Sequence, residues 1–177
     1  MMILVGPSAS GKTEVATILI SKYNMKRMVT YTTRPIRVNE INGVSYNFVT
    51  INEFEDLMNN DELVESVCYS GNYYGTRKKD VSSEKIVILE PNGMKTFKEV
   101  MGNKVTSFFL NTSEELREKR MLNRLDKEED IKNRLQNDRV AFSNIDMKYV
   151  DFVIDNENVI IEELADKIYA KYMSVNK

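Results

Sequence analysis

The sequence predicts an α/β fold with a parallel sheet and three layers, and three observations support this prediction. Short apolar runs alternate with segments of helical periodicity, which is the order of successive β-α units. The run 86–89 is entirely apolar, as in strands that are covered on both faces. A glycine-rich loop at 6–13 joins the first apolar run to the first helical segment. Strand, glycine-rich loop and helix in this order are typical of a parallel sheet with a ligand site at the loop.

The remaining elements continue the alternation along the chain. Strands are expected at 1–5, 27–31, 85–90, 105–110 and 152–154. Helices are expected at 14–20, 94–101, 113–142 with a turn near 125–127, and around 160–169. Thr50 and Thr112 each stand three positions before a glutamate, which is the spacing of a capping box. Gly102 stands where a C-terminal helix cap is expected.

Length and composition restrict the class of protein. The chain has 177 residues, of which 42% are hydrophobic, enough for the core of one domain with or without mobile inserts. Its net charge of −2 argues against a nucleic-acid-binding surface, which needs a basic excess. The sequence has neither a bilayer-length apolar segment nor a signal-peptide pattern, so we expect a cytoplasmic protein without a membrane partner. The single cysteine, Cys68, cannot form an internal disulfide and is expected to serve in packing.

The complete absence of histidine restricts the chemistry further. Ser-His-Asp and Cys-His catalysis and histidine-ligated zinc sites are excluded. Phosphoryl transfer remains possible, because it depends on positioning and on charge stabilisation by Mg²⁺, lysine and arginine.

Residues 6–13 match the phosphate-binding P-loop pattern G-x-x-x-x-G-K-[ST]. The glycines allow a tight turn in which successive backbone N–H groups face an anion. Lys12 adds a positive charge for the β- and γ-phosphates, and Thr13 offers a hydroxyl to Mg²⁺. The residues expected to bind ATP are Gly6, Pro7, Ser8, Ala9, Ser10, Gly11, Lys12 and Thr13.

Two polar segments interrupt the alternation of strands and helices. Residues 32–79 are rich in polar and turn-forming residues, which indicates a small insert between core strands. Residues 113–139 hold arginines among many carboxylates, so they form either a solvated helical hairpin laced with ion pairs or a lid that closes over phosphates. The predicted units are a core of 1–31, 80–112 and 140–177, an insert of 32–79 and a lid of 113–139.

Residues 32–48 read Thr-Thr-Arg-Pro-Ile-Arg-Val-Asn-Glu-Ile-Asn-Gly-Val-Ser-Tyr-Asn-Phe and resemble the GMP-binding signature of guanylate kinases. That family shows T-T-R-x-P-R-x-G-E followed by G-x-x-Y-x-F. Here the proline stands one position earlier and Asn39 replaces a glycine. Glu65, the run 70–76 and the run 149–156 resemble further family elements, namely the guanine-binding glutamate, the N-Y-Y-G-[ST] loop and the closing strand. The resemblance extends over essentially the whole chain.

The resemblance implies a role for particular residues in binding GMP. The GMP phosphate is assigned to two arginines and two tyrosines, Arg34, Arg37, Tyr46 and Tyr74. Guanidinium groups bind phosphate in bidentate fashion, and phenol hydroxyls donate without adding charge. The guanine base is assigned to Glu65, Thr76 and Thr30. A carboxylate can accept from both N1–H and N2–H₂ of guanine, a donor pair that adenine lacks.

The resemblance also implies catalytic residues outside the insert. Arg120, Arg124 and Arg134 correspond to lid arginines that reach the phosphates, and with Lys12 and Arg37 they form the predicted catalytic set. Glu90 takes an acidic GMP-binding position if two residues are missing after the preceding strand. An alignment without a gap places Ile88 there instead.

The P-loop and the family resemblance together predict a guanylate kinase, which transfers the γ-phosphoryl group of ATP to GMP and dGMP with Mg²⁺ as cofactor. The expected partners are these small nucleotides, and the expected assembly is a monomer or a homodimer. Two alternatives stay open. One is a kinase of similar fold that acts on another phosphorylated sugar or nucleotide, and the other is a non-catalytic interaction module of the same family.

Overall fold

The computed structural model describes residues 1–36, 40–69, 71–157 and 159–176. Its strands are β1 (Met2–Val5), β2 (Lys26–Arg27), β3 (Tyr31–Thr32), β4 (Asn47–Phe48), β5 (Leu63–Tyr69), β6 (Asn72–Arg77), β7 (Lys85–Ile88), β8 (Thr106–Asn111) and β9 (Phe152–Asp155). Its α-helices are α1 (Lys12–Tyr23), α2 (Ile51–Asn59), α3 (Pro91–Met101), α4 (Glu114–Asn123), α5 (Glu128–Ser143) and α6 (Ile161–Val175).

A central parallel sheet has the strand order β2-β7-β1-β8-β9. β1 lies in the middle, with Leu4 opposite Ile88 of β7 on one side and opposite Phe108 of β8 on the other. The chain leaves β1 through residues 6–11 and enters α1, so the P-loop lies at the carboxyl edge of the central strand. The strand order proceeds from β1 to β7 on one side and to β8 on the other. α/β proteins bind ligands at the carboxyl edge of the sheet at such a position.

Alternate residues of β1 enter two different cores, as expected when both faces of a sheet are covered. Met2 and Leu4 pack with side chains of α1 and α6. Ile3 and Val5 pack on the opposite face with Met94 and other side chains of α3 and β7. The prediction of a three-layer α/β core with a parallel sheet is thereby confirmed.

A second, four-stranded sheet has the order β4-β3-β6-β5. The expected strand at 27–31 is divided between the two sheets, because Arg27 pairs with Ile86 of the central sheet whereas Tyr31 pairs with Gly75 of the second. α2 begins after a complete capping box at Thr50, as its sequence predicts. In the described residues β5 is an edge strand, and Cys68 on it is exposed, so the expectation that this thiol serves in packing is wrong.

The arginine-rich segment forms two helices, α4 and α5, which we call the helical pair. Met121, Ile131 and Leu135 are buried between them and contact Ala9 of the P-loop. The turn expected near 125–127 is present, and Leu125 there has a left-handed φ of 60°. Among the described parts of the chain, no helix is both long and apolar enough to cross a bilayer.

The predicted helix start at Thr112 is wrong by one residue. Ser113 is the N-cap of α4, and its hydroxyl accepts a hydrogen bond from Leu116 N–H at 3.4 Å. Glu157 fixes Ser113 in place, accepting from its backbone N–H at 2.5 Å and from its hydroxyl at 2.9 Å. Thr112 is instead buried, and its hydroxyl has no hydrogen-bond partner among the described residues.

Two substitutions test this helix start. Ser113→Ala should lower the free energy of unfolding by about 1 kcal/mol, because it removes the cap. Thr112→Val should leave the free energy unchanged or raise it, because it replaces an unpartnered buried hydroxyl by a methyl group of similar shape. Urea unfolding measures both, and the reverse order of effects would restore Thr112 as the cap.

Candidate functional site

Two glycines allow the P-loop to lie close against its neighbours. Gly11 has a left-handed φ of 92°, and a Cβ at this position would lie 2.9 Å from Asn156 Nδ2. A Cβ on Gly6 would lie 2.8 Å from the backbone oxygen of Leu110. Larger side chains would therefore displace the loop from the sheet edge.

Asn156, which follows β9, holds the loop from the other side. Its side chain is fully buried, and Nδ2 donates to the backbone oxygen of Ser10 at 2.8 Å. Arg120 of α4 reaches the same place, donating to the backbone oxygens of Ala9 at 3.1 Å and of Asn156 at 3.3 Å. The sequence does not predict this role of Asn156, and it marks the residue only as the last of the run 149–156 that resembles the family's closing strand.

Lys12 begins α1 and turns its ammonium group back to the loop. Nζ donates to the backbone oxygens of Gly6 and Pro7, each at 2.7 Å, and to Ser10 Oγ at 3.3 Å. Burial lowers the pKa of Lys12 from its ordinary value, while the nearby carboxylate of Glu90 opposes this shift. Glu90 is therefore within electrostatic reach of the loop, at the exposed N-cap position of α3.

Arg34, Tyr46 and Tyr74, predicted to hold the GMP phosphate, lie together. The Arg34 guanidinium lies over the Tyr46 ring at 5.5 Å, and the Tyr46 and Tyr74 rings are 6.1 Å apart edge to face. Arg34 also donates to Glu40 Oε1 at 2.6 Å. Arg37, the fourth residue of that prediction, lies outside the described residues.

Glu65 and Thr76, predicted to bind guanine, are neighbours across the β5–β6 hairpin. Thr76 Oγ1 donates to Glu65 Oε1 at 2.9 Å, and Thr76 is fully buried. Burial raises the pKa of the Glu65 carboxyl, and the Thr76 hydroxyl partly opposes this shift. Tyr74 stands two positions before Thr76 on β6, so both side chains lie on one face of the second sheet.

Two hollows converge on Thr13. A cleft of about 230 Å³ lies between α1 and strands β2 and β7 of the central sheet, and Thr13, Thr30 and Tyr46 are among the residues that line it. A pocket of about 150 Å³ is lined by residues 9–14 of the loop region and by Arg124. Beside it, a more apolar pocket of about 310 Å³ is lined by Ala9, Gly11, Glu14, Arg120, Asn123, Arg124, Asn156, Val159 and Ile161. Thr13 thus stands where a ligand in the cleft and a ligand on the P-loop would meet.

The predicted lid arginines make two kinds of contact, and Arg124 makes both. Arg120 and Arg124 line the pockets beside the loop. Arg134 of α5 lies with Arg124 at a shared carboxylate, because both donate to Asp126 Oδ2, at 3.4 and 3.1 Å. The helical pair is thus laced with ion pairs, and it also borders the P-loop.

The chemistry of the site fits a metal that arrives with a nucleotide. The described residues contain no cluster of carboxylate or thiol ligands that could hold an ion alone. The Thr13 hydroxyl is exposed at the meeting point of the two hollows. A single hydroxyl suits Mg²⁺, which commonly takes one or two protein ligands and completes its coordination with phosphates and water.

Comparisons with known proteins agree with this geometry. A family model described as guanylate kinase matches residues 1–171. The guanylate kinase of Brucella melitensis is 32% identical over 185 residues, covering 99% of this chain and 80% of the relative. That of Anaplasma phagocytophilum is 34% identical over 178 residues, covering 95% of this chain and 83% of the relative.

Solved structures give the same result. The crystal structure of guanylate kinase from Anaplasma phagocytophilum matches with a TM-score of 0.67 and 28% identity, covering 98% of this chain and 84% of that one. Shikimate kinase from Acinetobacter baumannii in complex with shikimate matches with a TM-score of 0.54 and 13% identity, covering 98% and 92%. The second similarity concerns the fold alone.

The chain shares the α/β fold of the Anaplasma phagocytophilum guanylate kinase and has the P-loop sequence at the carboxyl edge of its central sheet. With a family model over nearly its whole length and relatives above 30% identity, the chain belongs to the guanylate kinase family. It is an enzyme of the nucleoside monophosphate kinase class, as the sequence predicts.

The raised pKa of Glu65 predicts a stability effect that is separate from activity. The folded state holds the Glu65 proton more tightly than the unfolded state does, so ionisation of this group destabilises the fold above its raised pKa. Glu65→Gln should therefore raise the free energy of unfolding at neutral pH. The gain should shrink as the pH falls toward the ordinary value of 4.5 and below.

Urea unfolding of the ligand-free protein between pH 8 and pH 5 measures this gain. Glu55→Gln, at an exposed glutamate of α2, controls for the general effect of removing a negative charge. A Glu65→Gln protein that is less stable than the parent at neutral pH would contradict the analysis.

Proposed function

We propose that this protein transfers the γ-phosphoryl group of ATP to GMP, and also to dGMP, giving ADP and the nucleoside diphosphate. The observation that favours this reaction is the placement of the predicted groups. Thr13 and Tyr46 line one cleft, and the rings of Tyr46 and Tyr74 lie edge to face. Glu65, a half-buried carboxylate suited to guanine, pairs with Thr76 two positions along β6 from Tyr74. The proposed place of action is the cytoplasm.

The P-loop would bind the donor phosphates. The first N–H groups of α1 have no partner within the helix, and its N-terminus adds a partial positive charge. Lys12 Nζ already lies among the loop carbonyls, from which a short side-chain movement would bring it to the phosphates. Mg²⁺, held on the protein side by Thr13, would neutralise charge on the donor phosphates. The more apolar pocket lined by Ala9, Val159 and Ile161 is the proposed place of the donor base.

The acceptor phosphate would lie near Arg34, Tyr46 and Tyr74, and Arg37 belongs to the same proposed set. The phosphate oxygen of GMP is anionic at neutral pH and is itself the nucleophile, so no general base is needed. Arg34 would exchange its bond with Glu40 for a bond with the phosphate. Catalysis then consists of aligning two polyanions and neutralising the repulsion between them.

Guanine would be selected by Glu65, with Thr76 and Thr30 as further partners. The bond from the Thr76 hydroxyl fixes the orientation of the carboxylate and leaves the other carboxylate oxygen to accept from the base. A half-buried carboxylate gains more from such bonds than an exposed one, because water competes less for it. Glu90, which stands near Lys12, is a further proposed contact to GMP.

The proposed units are the core of 1–31, 80–112 and 140–177, the GMP-binding insert of 32–79 and the lid of 113–139. Arg120, Arg124 and Arg134 would contact the phosphates when the end of the helical pair near Asp126 closes on the nucleotide, while Asp138 keeps its bonds to Ser8. Arg124 and Arg134 are both paired with Asp126, so they would exchange one carboxylate for phosphate oxygens. Closure would exclude water and suppress hydrolysis of ATP.

Lys12→Ala tests the proposed role of the P-loop. It should lower kcat by at least about a hundredfold, because a pre-placed charge stabilises the transition state more than the ground state. Coupled measurement of ADP release with GMP as acceptor gives kcat. Lys22→Ala, at an exposed lysine on the same helix, is the control and should retain the parent rate. A folded Lys12→Ala enzyme with near-normal turnover would show that this loop is not catalytic.

Glu65→Gln tests the proposed guanine site. It should lower kcat/KM for GMP by roughly ten- to a hundredfold, because it replaces charge-assisted hydrogen bonds by neutral ones and can turn an NH₂ toward a guanine donor. The KM for ATP should change little. IMP, which lacks the 2-amino group, should be a poor substrate of the parent and should lose less than GMP does. Equal losses for GMP and IMP, or a rise in the KM for ATP alone, would give Glu65 a structural role.

A further inference from the structure

Ser8, the third residue of the P-loop, is held at three polar groups by two residues of the helical pair. Its backbone N–H donates to Asp138 Oδ2 at 2.9 Å, and its hydroxyl to Asp138 Oδ1 at 3.1 Å. Arg117 NH1 donates to the backbone oxygen of Ser8 at 3.4 Å and to Asp138 Oδ2 at 2.7 Å. At Ser8, the first turn of the loop is thus hydrogen-bonded to α4 and α5 rather than to the sheet.

This ion pair is far more buried than its neighbours on the same helices. The Arg117 side chain is 6% exposed and that of Asp138 12%, whereas Arg139, which bonds Glu114 across the same two helices, is 61% exposed. Burying an ion pair has a desolvation cost that only good geometry and further hydrogen bonds offset. The helices already pack through Met121, Ile131 and Leu135 and do not need this pair for contact. Arg117 NH2 also lies 3.8 Å from Glu114 Oε2, and Arg117 Nε has no hydrogen-bond partner among the described residues. The further hydrogen bonds of the pair go to Ser8.

The pair also bears on the charge of the site. Asp138 and Arg117 shift the pKa of Lys12 in opposite directions, Asp138 upward and Arg117 downward, so both lie within electrostatic reach of the lysine at the loop. A carboxylate this close would repel the phosphates of a nucleotide if its charge stood alone. Arg117 balances it while leaving both carboxylate oxygens bonded to Ser8.

We propose that Asp138 is a positioning residue for the donor nucleotide, which acts through Ser8 by fixing the first turn of the P-loop, and that Arg117 neutralises it. The inference rests on the proposed use of this loop for ATP. The residue at position 138 must then meet two requirements. The residue must accept a hydrogen bond from Ser8, and its charge must be matched by the residue at position 117.

Four variants separate these requirements, each measured for KM of ATP, KM of GMP and thermal unfolding. Asp138→Asn keeps an oxygen acceptor and should stay within about threefold of the parent KM for ATP, whereas Asp138→Ala should raise it by about tenfold. Arg117→Gln should also raise the KM for ATP by about tenfold, because it leaves an unbalanced carboxylate beside the phosphates. The double variant Arg117→Gln with Asp138→Asn should recover most of that loss. The KM for GMP should stay near that of the parent throughout.

Arg139→Gln is the matched control, because it breaks the exposed ion pair that joins the same two helices and should leave both KM values unchanged. A double variant no better than Arg117→Gln, or equal effects of alanine and asparagine at position 138, would overturn the proposal. If Arg117→Gln does not fold, the comparison of alanine with asparagine at position 138 still tests the proposal.

Direct titration of the parent with ATP separates this inference from the proposed function on which it rests. No binding would overturn the proposed function, whereas binding with unchanged KM values in all variants would overturn this inference alone.

Discussion

The left-handed turn at Gly11 is the constraint on which the rest of the site depends. It lets the loop leave β1 at the carboxyl edge of the sheet and turn directly into α1. The space that a side chain would fill at Gly11 is occupied by the Asn156 amide, which bonds Ser10. Arg120 joins Asn156 to Ala9. The end of β9 and the helical pair are therefore positioned against the same few backbone atoms of the loop. A change in the conformation of the turn at Gly11 would displace both.

A second feature of the structure is that several arginines near the site are paired with carboxylates. Of those that the proposed function assigns to phosphates, Arg34 is paired with Glu40, and Arg124 and Arg134 are both paired with Asp126. Such pairs hold long side chains in place and reduce the entropy that ligand binding must remove. They also weaken binding, because a phosphate must displace the carboxylate. Asp138 differs from these, since its partners include the backbone of the loop itself.

Local pattern was enough to predict the central sheet and the P-loop, and the resemblance to a family signature predicted the family. Non-local contacts explain what the sequence did not predict. Arg27 and Tyr31 belong to one β-prone run, and only their partners, Ile86 and Gly75, assign them to different sheets. Thr112 has the capping-box spacing and Ser113 does not, so only the bonds from Ser113 to the distant Glu157 explain why Ser113 is the cap. Of the predicted site residues, those on neighbouring strands lie together, but their roles stay predictions. Asp138 could not be found from sequence, because its contact with Ser8 spans 130 positions.

Burial of Glu65 links specificity to stability. The same removal of water that raises the pKa of its carboxyl strengthens each hydrogen bond that the ionised form accepts. The fold retains a group that costs it stability when no ligand is bound, and Thr76 offsets only part of that cost. A guanine edge with two adjacent N–H donors would satisfy the carboxylate, whereas adenine lacks this donor pair and would leave the carboxylate only partly bonded and still removed from water. Under the proposed function, discrimination therefore arises mainly from the penalty on the wrong base, and it is set by how dry the pocket is.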